Sequence, residues 1–263
     1  SFRLYHGERG IDVAIYGMIP SRQLPLESYV GFTAFRNGFP AAYGGAWVFG
    51  ERAGFGINIF ESYRSGESGF MMSQIMSVYK AAFRIQYFEI EPYQFGLDNP
   101  DGIETGAFWF YYRFGFRPLD RELRKLAELE KEKIKSRKDY RSSHATLIRF
   151  TESPIALNLG KRIPPSLPQI TSRVTSMIQR VYRGDRAAAV EDCRKKFLEK
   201  TSIKKVTNED EEQVLNETAL WAEAMNVHDP EKLMLMTRMI KVKPKDLYAY
   251  QELLLRIFSS SHS

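Results

Sequence analysis

The chain has 263 residues, of which 43% are hydrophobic and 13% aromatic, so it is long enough to bury a full core in one large domain or two smaller ones. Its net charge of +6 arises from 38 basic and 32 acidic side chains, a balance typical of a solvated surface that also suits an anionic ligand. A single cysteine, Cys193, excludes an internal disulfide and a cysteine-based metal cluster, and no apolar run reaches the length of a membrane span.

Other chain-wide signals predict a cytoplasmic protein without a bound metal. The N-terminus lacks the basic-then-apolar pattern of a secretory signal, and a lone thiol in a charged stretch suits a reducing compartment. The four histidines lie far apart and lack metal-ligand spacing. Because the chain begins with Ser1 rather than methionine, we expect it to be a piece of a longer protein.

The first part of the chain predicts short strands. Ile11–Tyr16 is one, and Ser28–Arg36 and Phe39–Phe49 are two more. Asn37-Gly38 between them is the strongest short hairpin signal, because both central positions of such a turn favour positive φ. A three-strand antiparallel meander is predicted, formed by Ser28–Arg36, Phe39–Phe49 and Phe55–Phe60.

A glycine loop, Tyr63–Gly69, separates the meander from two predicted helices. Apolar residues recur at steps of three and four from Phe70 to Ala82, which predicts a helix that buries one face. Ile85–Phe95 is rich in strand formers, and Gly102–Phe114 predicts an aromatic helix. In this order, the helix after the fourth strand predicts a right-handed crossover to a fifth strand.

The rest of the chain is predicted to be helical. Leu119–Tyr140 is a charged helix with Glu and Lys three residues apart, typical of a solvated helix, and Ile163–Pro168 is predicted to be a linker. Amphipathic helices are predicted at about Gln169–Tyr182, Asp185–Glu199, Glu209–Met225, Pro230–Ile240 and Pro244–Phe258. We expect three regions, an α/β domain at 1–118, a charged helix with a connecting segment at 119–162, and a helical region at 163–263.

The glycine loop has the chemistry of an anion site. Backbone N–H groups that open a helix N-terminus favour negative charge, as does the helix dipole. The candidate contacts with a diphosphate are Arg64, Ser65, Gly66, Ser68 and Gly69. The alternative is a tight strand-to-helix turn with no ligand.

The loop and the aromatic helix, in this order and spacing, resemble the GNAT superfamily of acyl-CoA-dependent N-acyltransferases. Gly106–Phe116 is similar to the closing motif Asn-x-x-Ala-x-x-Phe-Tyr-x-x-x-Gly-Phe, with Ala107 and Tyr111 in matching positions. The loop is similar to the diphosphate motif Arg/Gln-x-x-Gly-x-Gly/Ala, with matches at Arg64 and Gly69. The aromatic segment also resembles a group of uncharacterised bacterial proteins in which a GNAT-like half belongs to a longer chain.

The resemblance, which covers roughly residues 28–118, implies a fold and a reaction. The fold would be α+β, with a mixed, mostly antiparallel sheet flanked by helices, followed here by an all-helical C-terminal region. An acyl group, with acetyl expected, would pass from a CoA thioester to an amine. Tyr111 would protonate the departing thiolate. Besides the loop, Ile57, Ile59 and Asn99 would contact the cofactor.

Carboxylates near the strand ends are candidates for the base that deprotonates the amine. Glu89 and Glu91 alternate before the aromatic helix, and Glu61 ends the preceding strand. The alternative is that each of them faces solvent. The resemblance does not choose among them.

The sequence departs from the family pattern in two places. The middle glycine of the loop motif is Glu67, whose carboxylate would repel a diphosphate by about 1 to 4 kcal/mol, unless Gly66 compensates through a shift of one residue. The family places two helices between its first two strands, whereas only Gly17–Glu27 lies there in this chain. The acceptor pocket is therefore either open or walled by another segment.

Three hypotheses remain open. The first is the N-acyltransferase, with acyl-CoA as co-substrate, no metal, and a small-molecule or protein amine as acceptor. The second is a GNAT-like fold without cofactor, an interaction or regulatory module whose C-terminal helices dock a protein partner, and Glu67 favours it. The third is an acyltransferase that uses an acyl carrier protein, which basic residues of the helical half would contact. None of the three involves a membrane, and we do not expect nucleic-acid binding.

Overall fold

The computed structural model describes residues 2–64, 66–201, 206 and 208–259, and within them it shows an α+β fold with an eight-stranded, mostly antiparallel sheet. The strands are β1 (Phe2–His6), β2 (Ile11–Gly17), β3 (Ser28–Arg36), β4 (Phe39–Phe49), β5 (Arg52–Ile59), β6 (Tyr87–Ile90), β7 (Arg117–Pro118) and β8 (Ile155–Asn158). The helices are α1 (Ser68–Phe83), α2 (Pro100–Glu104), α3 (Ala107–Arg113), α4 (Arg121–Ser136), α5 (His144–Phe150), α6 (Leu167–Tyr182), α7 (Arg186–Lys200), α8 (Glu209–Ala224), α9 (Pro230–Val242) and α10 (Leu247–Ser259).

The sheet has the strand order β1-β2-β3-β4-β5-β6-β8-β7. The predicted meander is confirmed as β3, β4 and β5, and its first turn has positive φ at both Asn37 and Gly38, as expected. The strands β5 and β6 are parallel and are connected through α1. One strand of this parallel pair, β5, leads into the glycine loop.

Several elements differ from the sequence-based expectation. The predicted helix Gly102–Phe114 is wrong, because the chain forms α2 and α3 with a break at Gly106, which adopts the left-handed conformation (φ 65°). The strands β1 and β8 and the helix α5 were not predicted, and the fifth strand expected after the aromatic helix is the two-residue β7. The strand β8 inserts between β6 and β7, although residues of α4 and α5 separate it from β7 in the sequence.

One face of the sheet packs against α1. This helix buries Met71, Ile75 and Tyr79 against side chains of the central strands, and the Tyr79 hydroxyl donates to the Val30 carbonyl at 2.6 Å. The aromatic helix α3 packs against α5, where Phe108 stacks on Phe150 at 3.9 Å between ring centroids. The opposite face of β3, β4 and β5 remains partly exposed, and the candidate site lies there.

The helices α6 to α10 form a second core that packs on the sheet. Phe49, at the end of β4, lies among Trp221 and Phe258, with ring centroids 6.0 and 5.4 Å apart. The Tyr250 hydroxyl donates to the Leu26 carbonyl at 2.6 Å. Side chains of the sheet and of the C-terminal helices therefore share one continuous interior at this end.

The charged helix α4 is confirmed, but it is not solvated on all sides. The ion pairs Glu122–Lys125 and Glu130–Lys133 are present as predicted. Glu130, however, is buried at 2% exposure and also accepts hydrogen bonds from Tyr140 and Ser142. This carboxylate therefore ties the segment after α4 back onto the helix.

A buried lysine joins the two cores. Lys243 is 2% exposed, and its ammonium donates to Gln23 Oε1, the Glu27 carbonyl and Ser28 Oγ at 2.8 to 2.9 Å. Burial lowers the pKa of Lys243 to about 7, while the Glu27 carboxylate opposes this shift. The ordinary pKa of lysine applies in the unfolded chain.

We expect the wild type to gain stability relative to Lys243→Met as the pH rises. Above pH 7 the unfolded state binds the proton that the native Lys243 loses, so the free energy of unfolding rises, by about 2 kcal/mol between pH 7 and 9. Below pH 7 both states hold the proton and this contribution is constant. Urea unfolding of both proteins at pH 6, 7.5 and 9 measures the difference, and parallel pH profiles would contradict the expectation.

Candidate functional site

The pairing of the parallel strands β5 and β6 ends before β5 does, and we call the free edge of β5 beyond Gly54 the wedge. Their paired register runs from Arg52 to Gly54 on β5. The strand β6 then ends at Ile90 and the chain turns away through a short 3₁₀ turn at Pro92–Phe95, whereas β5 continues to Ile59. Beyond Gly54, β5 therefore presents its backbone edge to a gap between the strands.

Two predicted cofactor-contact residues border this gap. The Ile57 N–H donates to Gln94 Oε1 at 3.1 Å, and the Ile59 carbonyl accepts from Arg64 Nε at 3.0 Å. Since β4 pairs with the other edge of β5, both groups point towards the wedge. The Ile57 N–H and the Ile59 carbonyl thus lie at the free edge of β5, where the side chains of Gln94 and Arg64 bind them.

The structure brings Tyr111 to the same wedge. It is 3% exposed and packs edge-on against Phe95 and Phe116. Its hydroxyl lies 3.5 Å from Gln94 Oε1, which is longer than an ordinary O–H···O hydrogen bond. Burial raises the pKa of Tyr111, so the hydroxyl is protonated at neutral pH and is a weaker acid than an ordinary tyrosine.

Gln94 is the central residue that the sequence did not reveal. Its carboxamide lies over Gly56, where an added Cβ would come within 3.3 Å of Gln94 Nε2. Glycine in the interior of a strand often marks such a close approach. Gly56 was therefore the one feature of the sequence that indicated a close approach at this strand, and it does not identify Gln94 as the residue that approaches.

The glycine loop lies at the N-terminal end of α1. Arg64 also pairs with Asp101 at 3.3 Å, and both side chains are exposed. Ser68 and Gly69 begin α1, whose N-cap residue offers no side-chain acceptor to the first turn. The predicted contact Ser65 lies outside the described residues.

The Glu67 carboxylate is compensated by a guanidinium. Both of its oxygens accept from Arg36, at 2.9 Å each. The left-handed position of the loop falls on Gly66 (φ 59°), whereas Glu67 has a φ of −99°. The departure from the motif therefore introduces no backbone strain at Glu67, and the repulsion of an anion is weaker than for an isolated carboxylate.

The remaining predicted cofactor contact, Asn99, has a structural partner. Its side-chain amide donates to the Tyr93 carbonyl at 2.9 Å, and the residue directly precedes α2. Asn99 thereby stabilises the turn that follows Gln94. The structure does not bring its side chain to the wedge edge of β5.

A cleft of about 680 Å³ opens on the sheet face opposite α1. The strand register places Trp47, Gly54 and Glu89 in one row across β4, β5 and β6, and Tyr29 continues the row on β3. Tyr29 and Trp47 meet edge to face at 5.1 Å. The floor of the cleft is thus glycine backbone with aromatic side chains on one flank and carboxylates on the other.

The candidate bases Glu89 and Glu91 both line this cleft, but their electrostatic environments differ. Glu89 pairs with Arg52 at 2.7 Å. Burial raises the pKa of Glu91, as does the nearby charge of Glu89. A carboxylate with a raised pKa is the stronger base, so Glu91 is the better candidate. Glu91 and Glu61 are both exposed, but Glu61 lies in a short 3₁₀ turn outside the cleft.

The cleft contains a third carboxylate that sequence analysis did not single out. Glu27 lines it from the connection between β2 and β3. Burial raises the pKa of Glu27, and the charge of Lys243 opposes the shift. Three carboxylates and the Arg52 guanidinium therefore set the charge of the cleft, which favours a cation.

The beginning of α6 forms one wall of the cleft. Ser166, Leu167 and Pro168 line it, and Ser166 caps α6. The Pro164 carbonyl accepts from Arg52 at 3.0 Å. The proline-rich segment was predicted to be a linker; Pro164 and Ser166 are instead buried in the wall of the cleft.

Comparisons with protein-family models, with curated proteins and with solved structures found no match to this chain. Over the described ranges, no group of three or more His, Cys, Asp or Glu side chains is arranged to hold a metal. In the same part of the chain no helix combines the length and the apolar character that crossing a membrane requires.

Proposed function

We propose that this protein is a GNAT-type N-acyltransferase that moves an acyl group, acetyl being expected, from a CoA thioester to an amine. The observation that carries the proposal is the wedge between β5 and β6, with the Tyr111 hydroxyl directly behind it. The helix N-terminus of α1 lies beyond one end of the wedge, and the acidic cleft includes Gln94 at its border.

The residues at the wedge fit a thioester co-substrate with a diphosphate. Arg64 and the first-turn N–H groups of α1 would hold the diphosphate, because no acidic side chain lies in that first turn. The Ile57 N–H would bind a ligand carbonyl. Arg36 supports the site by neutralising Glu67.

The chemistry requires three proton transfers by residues of this chain. When bound, the thioester supplies an electrophilic acyl carbon; the amine nitrogen forms a bond to it and the carbon–sulfur bond breaks. Glu91 accepts the proton that the ammonium loses, for which its raised pKa is suited. Tyr111 gives its proton to the leaving sulfur, and its phenolate regains a proton from the nitrogen of the new amide, so the products are an amide and a free thiol.

The cleft supports an amine as acceptor, either a small molecule or an amino group of a protein. Its carboxylates favour the ammonium form, and Trp47 and Tyr29 provide faces for the attached apolar groups. The buried thiol of Cys193 supports the cytoplasm as the proposed location.

A second candidate function is an interaction module without cofactor. It is favoured by the hydrogen bond between the Ile57 N–H and Gln94 Oε1, which leaves this N–H unavailable to a ligand. In that case the wedge is a structural joint, and the C-terminal helices would contact a protein partner.

We expect millimolar CoA or acetyl-CoA to raise the thermal unfolding midpoint by several degrees, because a ligand that binds only the native state stabilises it. Arg64→Glu is expected to abolish the rise, since Arg64 lies at the proposed diphosphate site. The matched control is Arg84→Glu at the other end of α1, where Arg84 pairs with Glu252. A rise that persists in Arg64→Glu would exclude the loop, and no rise with either ligand would favour the interaction module.

A further inference from the structure

Two hydrogen-bond donors converge on a single acceptor atom in the wedge. The Ile57 N–H approaches Gln94 Oε1 at 3.1 Å, and the Tyr111 hydroxyl approaches the same atom at 3.5 Å. One donor is a backbone N–H and the other is a side-chain hydroxyl from α3. A single acceptor oxygen at this point can therefore bind both donors. In this structure that oxygen belongs to a side-chain amide of the same chain.

Gln94 also separates the cleft from Tyr111. It lines the cleft together with Gly56 and Tyr93, whereas Tyr111 is buried behind it. The carboxamide fits against the strand because position 56 carries no side chain. A ligand in the cleft therefore reaches the Tyr111 hydroxyl only after Gln94 moves.

We propose that the Gln94 carboxamide is a displaceable internal stand-in for the acyl carbonyl, which keeps the wedge closed until the thioester takes its place. This inference rests on the proposed function. The ligand group that competes with Gln94 is a carbonyl oxygen, since it must accept from both donors at the same point.

The contacts of Gln94 are consistent with a group that moves. It is only half-buried, and its contact with Tyr111 is longer than an ordinary hydrogen bond. The Ile57 N–H would lose its partner if Gln94 left without a replacement, which favours the closed arrangement in the free protein. A ligand carbonyl supplies that replacement, so exchange conserves the hydrogen bond.

The test compares the wild type with Gln94→Ala by calorimetric titration with acetyl-CoA and with CoA. We expect acetyl-CoA to bind about threefold to tenfold more tightly to the variant, the factor that an ordinary hydrogen bond contributes. CoA, which lacks the acyl carbonyl, should gain less. The matched control, Gln213→Ala, removes an exposed glutamine on α8 and should change neither affinity.

A second measurement does not depend on any ligand. Amide hydrogen exchange at Ile57 should be faster in Gln94→Ala than in the wild type, because the N–H loses its internal acceptor. Gln94→Asn, whose amide cannot reach as far, should shift both measurements in the same direction and serves if the alanine variant does not fold.

The outcomes separate this inference from the proposed function. Equal acetyl-CoA affinity in wild type and variant would overturn the role of Gln94 and leave the acyltransferase intact. Weaker binding to Gln94→Ala would also overturn it, because Gln94 would then contact the ligand rather than compete with it. Failure of acetyl-CoA to bind to either protein would overturn both.

Discussion

Tyr111→Phe is expected to slow acyl transfer by about 100-fold to 10,000-fold without unfolding the protein. The substitution removes only the hydroxyl, the proposed donor to the leaving sulfur, and leaves the ring among Phe95, Phe110 and Phe116. Because burial raises the pKa of Tyr111, the wild-type hydroxyl is protonated at every pH near neutrality. The turnover number with a saturating amine measures the loss, and thermal unfolding shows whether the fold is kept.

The control for this prediction is the adjacent Tyr112→Phe. Tyr112 lies on the same helix and is also buried, but its ring packs under the Arg117 guanidinium rather than at the wedge. This variant should retain most of the activity. Equal rates for Tyr111→Phe and the wild type would remove the acid role, whereas equal losses in both variants would point to disturbance of α3.

Phe49→Ala is expected to lower the free energy of unfolding by about 3 to 5 kcal/mol. Phe49 belongs to a strand of the sheet, yet its ring is buried among Trp221 and Phe258 of the C-terminal helices. Truncation leaves a cavity at the junction of the two cores, and rigid aromatic neighbours collapse poorly into it. Urea unfolding followed by tryptophan fluorescence and by circular dichroism measures the change.

The other end of the same strand provides the control. Phe39 is 69% exposed, so Phe39→Ala should change the stability by no more than about 0.5 kcal/mol. If the sheet and the helices unfold together, both probes will show one transition that Phe49→Ala shifts. Two separate transitions, or equal effects of the two substitutions, would show that the helices at 163–263 are stable independently of Phe49.

Local sequence signals predicted most of the regular elements. The Asn37-Gly38 turn and the apolar period from Phe70 to Ala82 each act within a few residues, and both were confirmed. The aromatic segment shows the limit of that approach, because Gly106 interrupts a run with strong helical spacing. The short strand β8 escaped prediction since its four residues form a strand only by pairing with β6 and β7.

The candidate site was predictable only in part. The sequence indicated the loop and the carboxylates Glu89 and Glu91 through residue type and position, and Tyr111 through the resemblance to the GNAT superfamily. The ion pair that neutralises Glu67 was not visible in the sequence, because its partner Arg36 lies 31 residues away, at the end of β3. The wall of the cleft was not visible in the sequence either, because the hydrogen bond from Arg52 to the Pro164 carbonyl joins residues that are 112 positions apart.

The sequence by itself determined the local turns, which segments form strands and which form amphipathic helices, and the mildly basic net charge. Each of these depends only on neighbouring residues or on composition. The tertiary structure alone decided that Gln94 meets Ile57 and Tyr111 in the wedge. The physical reason is that a hydrogen bond needs two groups at one point in space, and only the packed sheet and helices bring residues from distant parts of the chain to that point.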